Sequence, residues 1–523
     1  MQTSIINKIS KLTLILTFIG TLGGSALNVF AASTDITENT TETGAFYDDS
    51  DTDSRAALNV TTGGVTYTGT NITINTTNGG PDTSPIGDGA YIINGAGLSL
   101  TNSTITTSGS RGHAVWLDTS GGTLNNVNMT TTGYGGYGVS ATNASLLLTG
   151  GSIHTSASNA YGISLNFTSS GTVSNVNIQT EGRVAYGVRV GNSSTLTMAD
   201  SSVTTSGSET YGFYINNAAS GTLNNVNIEA TGNSGGAVYA YSGTLVMTGG
   251  SISTNGTSGR GIYLRDASNI TLNNVDVQVE GDLIHGISVN SHSALTLNNS
   301  NLRVTGNSGV YGLYVSGTST VTVELNGNTL SNTNGNIISS TSDSTVTVTG
   351  SNGSIIAGNV GTSGIARIDI TLTGAGTELH GNFSQGDVTN GVINLSIGAG
   401  VLLEGRGILD NLTLASGAII GYADGVLTVT DSITIGDGIT IDFSSLTETD
   451  NYLVLDWAGA SITGGSISDG QFTIAGAGVE GTFSVQGTQL YFNATAVPEP
   501  STWFLLGAGL GVLALIRCRR HRC

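Results

Sequence analysis

The sequence predicts an all-β chain, a right-handed parallel β-helix (β-solenoid) with coils of about 25 residues. Three observations carry that expectation. The phrases GTLNNVNM, GTVSNVNI and GTLNNVNI begin at Gly122, Gly171 and Gly221, and ITLNNVDV begins at Ile270; LLLTGGSI, LTMADSSV, LVMTGGSI and LTLNNSNL alternate with them from Leu146, Leu196, Leu245 and Leu295. A second marker, Tyr-Gly at Tyr137, Tyr161, Tyr186 and Tyr211, recurs every 24 to 26 residues with related positions at Asp88, His113, Gly235, Arg260, His285 and Tyr311. Apolar and polar residues also alternate over short runs such as Val188-Arg189-Val190 and Phe213-Tyr214-Ile215, the period of a half-buried strand.

Each coil would hold two or three short strands, rich in Thr, Val and Ile and punctuated by Gly, Ser and Asn that would break a helix. In LNNVNM, Leu124, Val127 and Met129 point inward and Asn125-Asn126 make a bend. Stacked coils pair backbone with backbone at about 4.8 Å and share one core. A propeller is the competing repeat fold, but about 25 residues hold too few strands for a blade.

In chain order, residues 1–31 read as a secretory signal peptide: Lys8 and Lys11 precede the apolar run Leu12 to Ile19, and Val29-Phe30-Ala31 offers a cleavage site. The competing reading is an uncleaved anchor. Residues 32–57, with FYDDSDTDSR, read as a polar linker or entry segment. Asp49, Asp51 and Asp53 imitate the start of a calcium loop, but its Gly is missing and Val60 replaces the bidentate Glu. Residues 58–330 are the regular repeats. Residues 331–495 keep the style of short strands between Gly and Asp turns while the period blurs. The last element, 497–523, joins Val497-Pro498-Glu499-Pro500-Ser501 to an uncharged stretch, 503–516, and the basic residues Arg517, Arg519, Arg520 and Arg522. Fourteen helical residues reach about 21 Å, short of a bilayer core, but Trp503 and Arg517 suit its two interfaces and the arginines place the end in the cytoplasm.

That terminal order resembles the PEP-CTERM sorting signal. The resemblance implies recognition through Val497, Pro498, Glu499 and Pro500 by an exosortase, a membrane transpeptidase. It also implies a transmembrane anchor before processing, then a cell-surface or extracellular-matrix destination in a bacterium that makes exopolysaccharide. The repeats and the 331–495 segment resemble autotransporter passengers. No translocator barrel follows in this sequence and the sorting tail stands in its place, so a passenger lacking its barrel is one reading of the whole.

Composition narrows the chemistry. The chain of 523 residues carries 35 acidic and 15 basic side chains, a formal charge of −20, and its lysines are Lys8 and Lys11. It offers no basic face for nucleic acid. Both cysteines, Cys518 and Cys523, lie in the tail, so no disulfide staples the body. No zinc spacing links His113, His154, His285, His292, His380 and His521, and no cofactor or metal is expected. GYGGYG from Gly133 and GAGVEG from Gly476 match G-x-G-x-x-G without opening a helix. GNSGG around Ser234 lacks the strand-turn-helix of a nucleophile elbow.

Two functions remain: a structural or adhesive surface protein without catalysis, or a secreted polysaccharide lyase or hydrolase. An enzyme would need clustered carboxylates and cations, and the best local group is Arg260, Arg265, Asp266, Glu280, Asp282 and His285. The tyrosine column Tyr137, Tyr161, Tyr186 and Tyr211 would stack coil on coil, and an exposed column would offer a contact for exopolysaccharide or another surface polymer. Strict alternation points these tyrosines inward; a bend at this position would turn them out.

Overall fold

The computed structural model describes residues 29–30, 33–49, 56–77, 87–281, 285–306, 310–385, 391–422, 425–443, 451–463, 466–475 and 479–496. They form two units, one running to Thr322 with Asn332–Gly335, the other holding Val323–Ser331 and the chain from Asn336. Both are right-handed parallel β-solenoid.

In the first unit a coil consists of a short strand, a turn, a longer stretch bent in its middle, and a second turn. Val115–Asp118 and Gly121–Thr131 form one coil, Val139–Thr142 and Ser145–Thr155 the next. Val115 pairs with Val139, Gly121 with Ser145 and Met129 with Ile153, all in parallel. Leu117, Leu124, Val127 and Met129 are buried to within 1% of completely, whereas Asn125 and Asn126 are exposed. The bend works because Asn126 adopts φ 52°, a left-handed conformation that Asn tolerates better than most residues. Asn102, Asn175, Asp200, Asn225, Asn274 and Asn299 repeat it in other coils, with Gly150 and Gly249 in the TGGS variants.

The other turn depends on close backbone approach. A Cβ on Gly133 would lie 1.7 Å from the Gly109 carbonyl oxygen, and one on Gly207 would lie 1.8 Å from that of Gly182. Gly133, Gly136 and Gly138 of GYGGYG are thus packing residues, while Gly135 takes the left-handed conformation, φ 67°, in the turn.

Residues 34–49 correct the linker expectation. Thr34–Ile36, Thr40–Thr43 and Phe46–Asp49 pair in parallel with Leu58–Val60, Thr66–Thr70 and Thr73–Thr76. Tyr47 and Tyr67 are fully buried, both donate their hydroxyls to Glu42, and the two hydroxyl oxygens lie 3.1 Å apart. The acidic composition concealed that Ile36, Ala45 and Tyr47 suffice to line a coil. Asp49 is a fully buried strand residue paired with Thr76, and Val60 is a buried strand residue, so neither fits a calcium loop. Val29–Phe30 pairs in parallel with Phe46 and Tyr47; the rest of the expected signal peptide lies outside the described residues, as do Asp51 and Asp53.

The second unit shows why the period blurs. Glu378 pairs with Leu402, Leu402 with Ile419 and Ile419 with Thr440, separations of 24, 17 and 21 residues. Its last strands depart from parallel pairing. Gln489–Ala496 is antiparallel to both Asn451–Asp456 and Val479–Gln486. A tight hairpin can close in a few residues, whereas parallel pairing would need another coil. Trp457, Phe443 and Phe492 are buried beneath it, the two Phe rings 4.0 Å apart. Among the described residues the one helical element is the 3-10 turn Asp469–Gln471, and no helix is long and apolar enough to cross a membrane. The expected 503–516 span lies outside the described residues.

Candidate functional site

The tyrosine column is held by buried threonines. Thr107, Thr131, Thr155 and Thr180 donate their hydroxyls to the carbonyls of Gly112, Gly136, Ala160 and Ala185 at 2.6 to 2.7 Å. Each carbonyl belongs to the residue just before His113, Tyr137, Tyr161 or Tyr186. The amides of Ala114, Gly138, Gly162 and Gly187 then donate to the carbonyls of Tyr137, Tyr161, Tyr186 and Tyr211 in the following coil, at 2.9 to 3.0 Å. The ladder residue is therefore fixed at both its flanks. The tyrosines sit at the bend, half-buried and outward, with the inward run resuming two residues later at Val139, Ile163, Val188 and Phe213.

Tyr137, Tyr161 and Tyr186 stack at centroid distances of 4.6 and 4.9 Å with planes within 12° of parallel. These distances match the coil rise, so both faces of Tyr161 are covered and the column presents ring edges and hydroxyls outward. The sequence missed a second column three residues further on: Tyr91, Trp116, Ser140, Ser164, Arg189, Tyr214, Tyr239, Tyr263, Ser288 and Tyr314, paired coil to coil. The two columns fill each other's gaps. Where Gly236 interrupts the first, Tyr239 packs on Tyr211 at 4.9 Å; where Ser140 and Ser164 occupy the second, the first stacks most regularly. The structure also puts Gly236, rather than Gly235, in register with Tyr211 and Arg260. The recurring Tyr214, Tyr239, Tyr263 and Tyr314 were legible as a period; what hid them was the interruption by Arg189 and serines.

Burial pushes the hydroxyls of Tyr137 and Tyr239 up to about 12, with Tyr161 first among further influences on Tyr137 and Arg265 on Tyr239, so both stay protonated at neutral pH. The charged side chains that act on Tyr137, Tyr161, Tyr186, Tyr211, Tyr214 and Tyr239 are Arg111, Arg189, Arg260 and Arg265. At the start of the column Asp88 is buried, accepts the His113 amide at 2.7 Å, and has its carboxyl held well up by burial. His113 accepts the Tyr137 amide on Nδ1 at 2.8 Å, and burial lowers its pKa to about 3.

The group considered for catalysis is only partly brought together. Arg260 and His285 are cross-coil partners; the Arg260 guanidinium lies 4.4 Å from the Tyr263 ring, and burial followed by Arg260 lowers His285 to about 4. Arg265, at the other end of the strand, pairs with Asp266 at 3.1 Å. Glu280 accepts from Gln278 at 2.6 Å, and Asp282 lies outside the described residues. Ser234 occupies a left-handed turn, φ 59°, not an elbow into a helix.

Elsewhere, Asn175, Asn177, Asp200, Ser202, Asn225 and Asn227 line an open polar groove of 420 Å³ on the Asn-bend face. In the second unit His380 bridges Glu378 at 2.8 Å and Glu404 at 2.7 Å. His154 lies 3.1 Å from Glu181, and His292 is a turn residue with φ 63°. Among the described residues no group of three or more His, Cys, Asp or Glu is arranged to hold a metal. Val497, Pro498, Glu499, Pro500, Arg517, Arg519, Arg520 and Arg522, with His521, lie outside the described residues.

Comparison with known proteins adds the following. Residues 186–353 match the family described as right handed beta helix region, and residues 496–520 match the PEP-CTERM protein-sorting motif. A search of curated proteins finds no match. Among solved structures, a chain of the cryo-EM structure of the Vag8-C1 inhibitor complex is similar at 16% identity and a TM-score of 0.49, over 85% of this chain and 100% of that one. The chain is a right-handed parallel β-solenoid that carries a PEP-CTERM sorting motif, which implies export, recognition by an exosortase and a cell-surface or extracellular destination.

Proposed function

We propose that the protein is a structural or adhesive component of the cell surface or extracellular matrix, with no catalysis of its own. The observation that carries this reading is the outward aromatic ladder, repeated coil after coil and backed by a second column in register. A repeated face gains from many weak contacts to a polymer that is itself repetitive. In this reading Tyr137, Tyr161, Tyr186 and Tyr211 meet a surface polysaccharide through hydroxyls and ring edges, because stacking already uses the faces. The placement of Arg265 and Asp266 at the other end of the strand from Arg260, the cross-coil partner of His285, supports binding over turnover.

The test is a screen of the purified full chain against acidic and neutral polysaccharides, following both binding and product formation. Binding without new reducing ends or unsaturated products is expected. Turnover that disappears in Asp266→Ala or Glu280→Ala would replace this reading with a lyase or hydrolase.

A further inference from the structure

Arg189 interrupts the second column between Ser164 and Tyr214, so its stem rises from the ladder face itself. Its Nη2 lies beside Gly191, 3.3 Å from where a Cβ would stand, in a turn flanked by Asn166 and Asn216. Unlike Arg183, Arg265 and Arg367, which pair with Glu209, Asp266 and Asp369 at 2.6 to 3.1 Å, Arg189 has no carboxylate partner among the described residues. Arg260 repeats the arrangement three coils on: it lies over Tyr263, its Nε is buried without a hydrogen-bond partner, and no carboxylate among the described residues pairs with it. The hydroxyls of Tyr137, Tyr161, Tyr186, Tyr214 and Tyr239 have no protein partner among the described residues. In a chain with 35 acidic and 15 basic residues, this face combines unpaired guanidiniums with a row of phenols.

We propose that the ladder face from Tyr137 to Tyr263 binds a linear acidic polysaccharide, with Arg189 and Arg260 receiving its carboxylate or sulfate groups. The coil rise sets the two guanidiniums about 14 Å apart along the stack. The phenols between them donate to and accept from sugar oxygens at each coil. A guanidinium held against an aromatic ring, as Arg260 is over Tyr263, gains more from an anion than one in open water. An extended chain suits the site because the contacts recur along a line instead of converging on a cavity. This proposal rests on the surface-contact reading above and narrows it to an anionic ligand.

The experiment measures equilibrium binding of the full chain to polygalacturonate, to the same polymer with its carboxyls reduced, and to polyglutamate. Arg189→Gln, Arg260→Gln and the double variant are compared with Arg189→Lys. Polygalacturonate should bind in a salt-sensitive way, each Gln variant should weaken it about tenfold, and Arg189→Lys should retain more of it. The reduced polymer should bind weakly and equally to all forms. Equal binding of the reduced and native polymers would overturn the anionic proposal while leaving the surface-contact reading in place. Binding of polyglutamate as tight as polygalacturonate would overturn its sugar part. No binding of any polysaccharide would sink both readings. An unchanged double variant, with wild-type circular dichroism, would show that the arginines are not the receptors.

Discussion

His113 shows how burial turns one side chain into a pH sensor. It is fully buried and accepts an amide on Nδ1, so the neutral imidazole fits and the cation does not. Its folded pKa of about 3 lies below the ordinary 6.5, so its contribution to stability is full above pH 6.5 and is lost as pH falls towards 3. The expected result is a denaturation midpoint that falls on acidification, with the His113 ring resonances still neutral at pH 5. A titration of that ring near pH 6.5 would contradict the buried geometry. His380 has the opposite sign. Burial works against its charge, but hydrogen bonds to Glu378 and then Glu404 outweigh that and raise its pKa. Its contribution is full below pH 6.5 and is lost as pH rises through the folded value. Histidine-to-glutamine replacement at 380 should remove this alkaline loss from the denaturation profile of the second unit.

At the scale of a strand and its turns, two substitutions separate packing from surface chemistry. Tyr161 has ring neighbours on both faces, so Tyr161→Ala should cost about 1–3 kcal/mol from two lost aromatic contacts. Tyr161→Phe keeps the rings and should leave the unfolding midpoint almost unchanged while removing one ligand hydroxyl. Gly207→Ala should cost about 1–3 kcal/mol, because the new Cβ meets the Gly182 carbonyl oxygen at 1.8 Å and backbone must move. Ordinary tolerance of Gly207→Ala in chemical denaturation would mean that the coils pack less closely than described. These elements were largely readable in advance. The alternation placed Leu124, Val127 and Met129 inside, and the Asn pair marked the bend. The strands at 34–49 were missed because their acidic residues dominate the composition, while the few inward side chains that decide the fold do not. The second aromatic column escaped because its members are separated by Arg189, Ser140 and Ser164, and only cross-coil pairing shows that one column completes the other.

For the molecule as a whole, the sorting motif and the solenoid are separate devices. Replacing Pro498, Glu499 and Pro500 together by alanine should leave the chain unprocessed in the membrane fraction without altering the solenoid's unfolding midpoint. Fractionation with mass measurement of the C-terminus reads the first effect and denaturation the second; normal processing would remove those residues from the recognition element. The sequence by itself determined the repeat, the inside and outside of most strands, and the terminal motif. Period, alternation and a short ordered motif are local properties of a chain, visible wherever neighbouring residues are read together. Only the tertiary structure decided which way the tyrosines face, that stacking consumes their faces, and that Arg189 and Arg260 have no carboxylate partner among the described residues beside them. Exposure and pairing depend on residues 24 or 25 positions apart meeting through the bend of each coil, and no local pattern fixes the angle of that bend.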